Sequence, residues 1–421
     1  MKLNATYIKI RDKWWGLPLF LPSLILPIFA HINTFAHISS GEVFLFYLPL
    51  ALMISMMMFF SWAALPGIAL GIFVRKYAEL GFYETLSLTA NFIIIIILCW
   101  GGYRVFTPRR NNVSHGDSRL ISQRLFWQIV FPATLFLILF QFAAFVGLLA
   151  SRENLVGVMP FNLGTLINYQ ALLVGNLIGV PLCYFIIRVV RNPFYLRSYS
   201  SQLKQQVDAK VTKKEFAIWL LALGALLLLL CMPLNEKSTI FSTNYTLSLL
   251  LPLMMWGAMR YGYKLISLLW AVVLMISIHS YQNYIPIYPG YTTQLTITSS
   301  SYLVFSFIVN YMAVLATRQR AVVRRIQRLA YVDPVVHLPN VRALNRALRD
   351  APWSALCYLR IPGMEMLVKN YGIMLRIQYK QKLSHWLSPL LEPGEDVYQL
   401  SGNDLALRLN TESHQERITA L

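Results

Sequence analysis

Apolar stretches close to the length of a bilayer crossing recur from Trp14 to Thr317. They run over residues 14–32, 43–60, 61–77, 85–101, 125–150, 166–190, 216–233, 244–259, 263–280 and 299–316. A hydrocarbon layer about 30 Å thick offers no water to backbone amides, so each stretch is expected to be a helix that satisfies its own N–H and C=O groups. The fold class predicted is an α-helical polytopic membrane domain of about ten transmembrane helices, followed by a smaller α/β region. The third stretch is the weakest of the ten. The break at Ala64-Leu65-Pro66 leaves little apolar length before Arg75 and Lys76, and without that crossing the sidedness of everything downstream inverts. Of the 421 residues 57% are hydrophobic and 13% charged, against about a quarter charged in an ordinary soluble domain, which also excludes a disordered chain.

The basic residues predict orientation, because cytoplasmic loops accumulate Lys and Arg. Lys2, Lys9, Arg11 and Lys13 precede the first stretch, and Arg104, Arg109, Arg110, Arg119 and Arg124 face only Asp117 over 102–124. Six more basic residues lie in 191–215, and Arg318, Arg320, Arg324, Arg325 and Arg328 follow the last stretch. The connections 33–42, 151–165, 234–243 and 281–298 hold only Arg152 and Lys237. Both termini are therefore expected in the cytoplasm, with membrane lipid as the chain's surroundings. The excess of 37 basic over 18 acidic residues, +19, is read as topology, since the charges are scattered over separate loops and form no surface for nucleic acid. Phe29-Ala30-His31-Ile32 lacks the small residues of a signal-peptide cleavage site, so the first stretch is expected to be retained. Cys99, Cys183, Cys231 and Cys357 show neither disulfide nor metal-ligand spacing and read as buried thiols.

Few polar groups interrupt the apolar stretches: Asn91, Asn168, Asn176 and His279 stand out. A secondary transporter with a regulatory C-terminal domain matches the helix number, but buried carboxylates and repeats are missing. Gly67 and Gly71, like Gly175 and Gly179, have the spacing that lets helices approach closely. His31 and His37 flank one exported connection, and His279 precedes a loop with Tyr281, Tyr284, Tyr288 and Tyr291. These side chains suit either a site for a metal or an acidic ligand, or anchoring at the membrane interface. The small-molecule signal itself is not named by the sequence.

Pro252-Leu253-Met254-Met255-Trp256-Gly257-Ala258-Met259-Arg260-Tyr261-Gly262 resembles a signature of MASE-type membrane-associated sensor domains. The segments Tyr47-Leu48-Pro49-Leu50-Ala51-Leu52 and Pro66-Gly67-Ile68-Ala69-Leu70-Gly71 are similar to that family's early helices. The resemblance implies a sensor over 1–316 and adds Trp256 and Arg260 to the candidate sensor residues.

From residue 317 the composition turns mixed and soluble. Leu315, Val322, Ile326 and Leu329 have near-heptad spacing, so the linker 317–330 is either a signalling helix that pairs two copies into a homodimer or a solvated helix packing on its own domain. Residues 331–421 resemble a GGDEF domain. Asp333-Pro334-Val335-Val336-His337-Leu338-Pro339-Asn340 stands for its opening motif, and Ser401-Gly402-Asn403-Asp404-Leu405 for its signature. The resemblance implies an antiparallel-rich sheet flanked by helices. It also implies a silent site. Cyclisation of GTP needs carboxylates to hold two metal ions, yet alignment on Gly372 puts Arg360 at the metal-binding aspartate, and Val368 and Ile377 at the base-reading Asn and Asp. Asn403 and Asp404 replace the signature's Asp and Glu. At the product-inhibition motif stands Glu392-Pro393-Gly394-Glu395, without its arginine. No catalytic residue, metal or cofactor is expected in this chain, and a membrane diguanylate cyclase is the weaker alternative.

Leu421 lies 90 residues beyond Tyr331, soon after the signature, so the chain is expected to be a truncated form. Its layout resembles that of membrane-bound cyclic-di-GMP phosphodiesterases, in which sensor and degenerate GGDEF domains precede an EAL hydrolase. The resemblance implies that Mg or Mn serves only the missing EAL domain, which would open cyclic-di-GMP to pGpG.

Overall fold

The computed structural model describes residues 13–39, 41–106, 121–147, 162–208, 211–232, 245–285, 290–351, 354–359, 363–400 and 404–410. The chain divides into two compact units, Met1–Arg318 and Gln319–Leu421.

Among the described residues the first unit is helical apart from one hairpin. Helix α1 (Leu17–His31) leads into β1 (Thr34–Ile38) and β2 (Gly41–Phe46), which pair antiparallel from Ile38↔Gly41 to Thr34↔Phe46. The expectation of a single helix over 43–60 is corrected here. Val43-Phe44-Leu45-Phe46 is aromatic and β-branched, fits a pleated and buried surface, and forms β2, while Pro49 pre-sets the first turn of the helix that follows. That helix, α2 (Pro49–Phe60), has 12 residues, about 18 Å of rise, and is buried from Pro49 to Met57. Ser61, at φ 52°, ends it; a 3₁₀ turn (Ser61–Ala64) then feeds α3 (Leu65–Leu80).

Gly67 and Gly71 let α3 lie on the backbone of α1: a Cβ at Gly67 would stand 2.5 Å from the Pro18 carbonyl oxygen. One cavity is lined by Pro49 and Met53 from the start of α2 and by Ile72 and Lys76 from the end of α3, so the pair doubles back on itself. The end of α3 thus returns beside the start of α2.

After α3 come α4 (Phe82–Phe106), a lead-in Ile121–Arg124 with a π-helical stretch Leu125–Val130, and α5 (Phe131–Phe145). Then follow α6 (Leu163–Arg191), α7 (Tyr195–Gln206), α8 (Lys213–Cys231), α9 (Tyr245–Tyr261), α10 (Tyr263–His279) and α11 (Tyr291–Tyr331). Among the described residues six helical runs are long and apolar enough to cross a membrane: Pro49–Leu80, Phe82–Phe106, Leu125–Ala143, Leu163–Arg191, Lys213–Cys231 and Tyr291–Gln327. Leu17–His31 and Tyr263–His279 are shorter apolar helices. Asn168, buried on α6, accepts the Phe44 N–H at 2.7 Å, and Asn176 donates to the Ile129 carbonyl of the π-helical stretch at 3.4 Å. These two asparagines satisfy backbone groups that irregular structure leaves open.

In the second unit α12 (Val341–Asp350) starts at Asn340, whose side chain accepts from the N–H groups of Arg342 and Ala343. Strand β3 (Ala355–Leu359), α13 (Met364–Tyr371) and α14 (Ile373–Leu387) precede a hairpin of β4 (Asp396–Gln399) and β5 (Leu405–Leu409). The sheet is antiparallel in the order β3-β5-β4. Alternation along β5 serves both faces: Leu405, Leu407 and Leu409 pack with Leu383 and Leu387 of α14, and Ala406 packs with Leu344 of α12.

Candidate functional site

The MASE-like run of α9 is built into a junction beside α11. Gly257 makes room for Trp219 of α8, whose ring would lie 2.4 Å from a Cβ there, and the Trp219 indole donates to the Leu253 carbonyl at 2.9 Å. Arg260 pairs with Asp208 (3.2 Å) and Glu215 (3.5 Å) and lies 5.9 Å from the Trp256 ring centroid. Gly262 takes φ +81°, and a side chain there would press on Gln206 and on Thr317. The turn between α9 and α10 is thereby fastened on two sides. Gln206 Oε1 accepts the Lys264 N–H at 3.0 Å, and Thr317 Oγ1 accepts the Tyr263 N–H at 3.0 Å while donating to the Ala313 carbonyl at 2.8 Å. Tyr199 of α7 adds a bond to the Lys264 carbonyl at 2.8 Å, and burial pushes its phenol well above the ordinary range, so it remains a donor. The long helix α11 is thus held at Thr317 to the turn between α9 and α10. Sequence reading missed Thr317 because a threonine at the end of an apolar run signals nothing by itself.

Trp256 and Arg260 stand in this junction, whereas the candidate histidines do not. His31 and His279 are exposed at helix ends, and His37 on β1 is exposed beside Glu42 at 3.3 Å. Among the described residues no three of His, Cys, Asp and Glu come close enough to hold a metal ion. The tyrosines of the loop after α10 are structural: Tyr284 is buried with Tyr302 and donates to the Ser277 carbonyl at 2.7 Å, and Tyr281 donates to the Phe35 carbonyl at 3.2 Å. Tyr288 lies outside the described residues.

In the second unit Arg360, Ser401, Gly402 and Asn403 lie outside the described residues. Val368 on α13 and Ile377 on α14 are half-buried. Asp404 accepts a hydrogen bond from the Tyr358 hydroxyl, and Leu405 is wholly buried in the core as the first residue of β5. The buried Glu395 carboxylate binds the N–H groups of Glu392 and Asn410 at 2.9 and 3.0 Å, which makes residues 392–395 a tight turn. A group no motif pointed to is Lys380, 1% exposed, with Nζ 3.1 Å from Gln399 Oε1 and burial lowering its pKa. Its spacing from Leu383 and Leu387 marks an inward helix face, the one signal that could have found it.

The junction and the unit that holds it match a family model, MASE1, over residues 15–320. The chain belongs to the MASE1 family. It is thus a polytopic membrane protein carrying a MASE1 membrane sensor domain, whose matched region includes the α9–α10 turn and Thr317. Over all 421 residues the chain is 99% identical to the cyclic di-GMP phosphodiesterase PdeF of Escherichia coli (strain K12), covering 56% of that protein. Over 416 residues, 96% of the chain, it is 26% identical to the probable cyclic di-GMP phosphodiesterase PdeA of the same organism, covering 55% of it. The chain spans about half the length of these curated relatives. No solved structure matches it.

Proposed function

We propose that the chain is the membrane sensor and regulatory region of a cyclic-di-GMP phosphodiesterase of the bacterial inner membrane. In this reading about ten helical segments enter the bilayer, both termini face the cytoplasm, and residues 331–421 are a degenerate GGDEF module without cyclase activity. The downstream part of the protein is an EAL hydrolase that uses Mg or Mn to open cyclic-di-GMP to the linear dinucleotide. Near-identity to a protein of that activity supports the assignment, and so does the loss of carboxylates from the cyclase positions.

The observation that carries a signalling role is α11. A single helix, Tyr291–Tyr331, is gripped at Thr317 by the α9–α10 turn and continues to the start of the C-terminal unit. A rearrangement of the sensor that alters the grip at Thr317 shifts this helix, and the shift is the message. Thr317→Val in the longer protein removes the acceptor for the Tyr263 N–H at nearly unchanged volume. Hydrolysis of cyclic-di-GMP by membranes carrying it is expected to change by about 1 kcal/mol of coupling, roughly fivefold. An unchanged rate at equal expression overturns the coupling role. The silence of the module is checked separately: purified chain with GTP and Mg²⁺ is expected to make no cyclic-di-GMP, and product formation overturns it.

A further inference from the structure

Where α6, α7 and α10 meet, two cations border a small opening. Arg188 lies one turn before the end of α6, and Lys264 is the second residue of α10. Both therefore stand at an end of an apolar helix, the place of basic and aromatic side chains at a membrane interface. The opening holds about 40 Å³. That exceeds the roughly 10–15 Å³ that one water requires and falls far short of the roughly 300–1,000 Å³ that encloses a whole small molecule. Phe185 of α6 and Tyr195 and Tyr199 of α7 add aromatic wall.

Neither cation is answered by an acid. The Arg188 guanidinium lies over the Tyr195 ring at 4.3 Å, and Lys264 Nζ lies 5.4 Å from the Tyr199 centroid and donates to Gln202. Among the described residues no carboxylate comes within 4.0 Å of either, and the charge that acts on Lys264 is that of Arg188. Asp208 and Glu215, the acids nearest along the chain from α7 into α8, are bonded to Arg260. Two like charges on different helices thus share one opening, and an anion between them turns their repulsion into two attractions.

The surroundings decide which anion. Phe194, next to Tyr195 in the chain, is 85% exposed, and Val190 and Leu196 on either side are exposed as well. Large apolar side chains left uncovered at a helix end of a membrane domain suit acyl chains, and a free anion from water gains nothing from them. One guanidinium satisfies a carboxylate, whereas a tetrahedral phosphate offers oxygens to cations on two sides. A head group that also carries an ammonium is repelled by the same pair.

We propose that this pocket binds the phosphodiester head group of an anionic membrane lipid, with the phosphate between Arg188 and Lys264 and the acyl chains over Val190, Phe194 and Leu196. Basic pockets between helices at the membrane surface suit such head groups. The site does not depend on the signalling role assigned to α11.

The test uses the purified full chain in detergent and reads thermal unfolding against added dioleoylphosphatidylglycerol, dioleoylphosphatidylcholine, oleate or inorganic phosphate. Phosphatidylglycerol is expected to raise the midpoint saturably, and the other three to do so weakly or not at all. Arg188→Gln and Lys264→Gln are each expected to weaken that binding by about tenfold or more, the loss of one charge-assisted bond. Arg197→Gln, an exposed position of α7 outside the pocket, is expected to keep it. If neither pocket variant elutes as folded protein, the preference of the parent chain for phosphatidylglycerol over the other three probes decides. An equal shift with phosphatidylcholine, oleate or inorganic phosphate overturns the proposal. So does the lack of a saturable shift with phosphatidylglycerol, full binding by either folded pocket variant, or an equal loss in R197Q.

Discussion

Lys380 shows how a single side chain sets a pH dependence. Its ammonium lies in the core of the C-terminal unit, hydrogen-bonded to Gln399, and burial is the largest cause lowering its pKa, with Arg376 adding repulsion. A lysine whose folded pKa lies below the unfolded value near 10.4 is held charged at a cost at neutral pH, and the cost disappears as pH rises toward that value. Stability of the unit is therefore expected to gain from this group as pH rises toward about 10.4, and Lys380→Met to lose that gain. In melting curves of the full chain the parent's midpoint should rise relative to the variant's as pH approaches that value. Parallel curves for the two proteins as pH rises refute the assignment. Arg260 is half-buried and paired with Asp208 and Glu215, which ties the end of α9 to the chain leading from α7 into α8.

At the scale of elements, close helix contacts are made at glycine. A Cβ at Gly175 would stand 2.0 Å from the Tyr47 carbonyl oxygen, a backbone atom that cannot swing away, and one at Gly179 would stand 2.6 Å from Leu48. Helix α6 therefore lies directly on the segment that links the hairpin to α2, and Asn168 one face along binds the hairpin itself. Gly175→Ala must push α6 or the hairpin aside, an overpacking cost of about 1–3 kcal/mol. It is expected to lower the detergent-solubilised midpoint by several degrees, whereas Gly224→Ala on α8, where a Cβ meets nothing within 4 Å, should leave it unchanged or higher. Equal behaviour of the two variants would show that the α6 contact does not bear on stability. The shortness of α2 belongs to this scale too. It is enclosed by protein along most of its length, so its apolar sequence reports burial among helices as much as contact with lipid.

At the scale of the whole molecule, the 41-residue α11 begins in the sensor and its last 13 residues, from Gln319 to Tyr331, belong to the second unit, where an apolar stripe is left uncovered. Val322 is 49% and Ile326 59% exposed, on a stretch whose other residues are largely basic. A second copy covering that stripe is the homodimer expected from the near-heptad spacing. With Cys231→Ser and Cys357→Ser removing the half-buried thiols, Ile326→Cys is expected to cross-link the chain into a dimer in detergent, and Arg325→Cys at the neighbouring position to do so less. A chain that stays monomeric under cross-linking at 326 rules the pairing out.

Much of this protein was legible without coordinates, for a physical reason: water-free surroundings force backbone groups into helices, so apolar length alone marks nearly every helix of the sensor. In the second unit the helix start and the strand pair follow from local demands, as Asn340 caps α12 and Asp396–Gln399 pairs with Leu405–Leu409. Periodicity misread 43–46, where a strand is as apolar as a helix and the pairing with Thr34–Ile38, together with the hydrogen bond from Phe44 to Asn168, 124 residues away, distinguishes them. The same limit hid Thr317, the cavity between Arg188 and Lys264, and the burial of Lys380. Composition is a property of each residue, but a latch, a cavity or a buried charge exists only between residues that the chain brings together from afar.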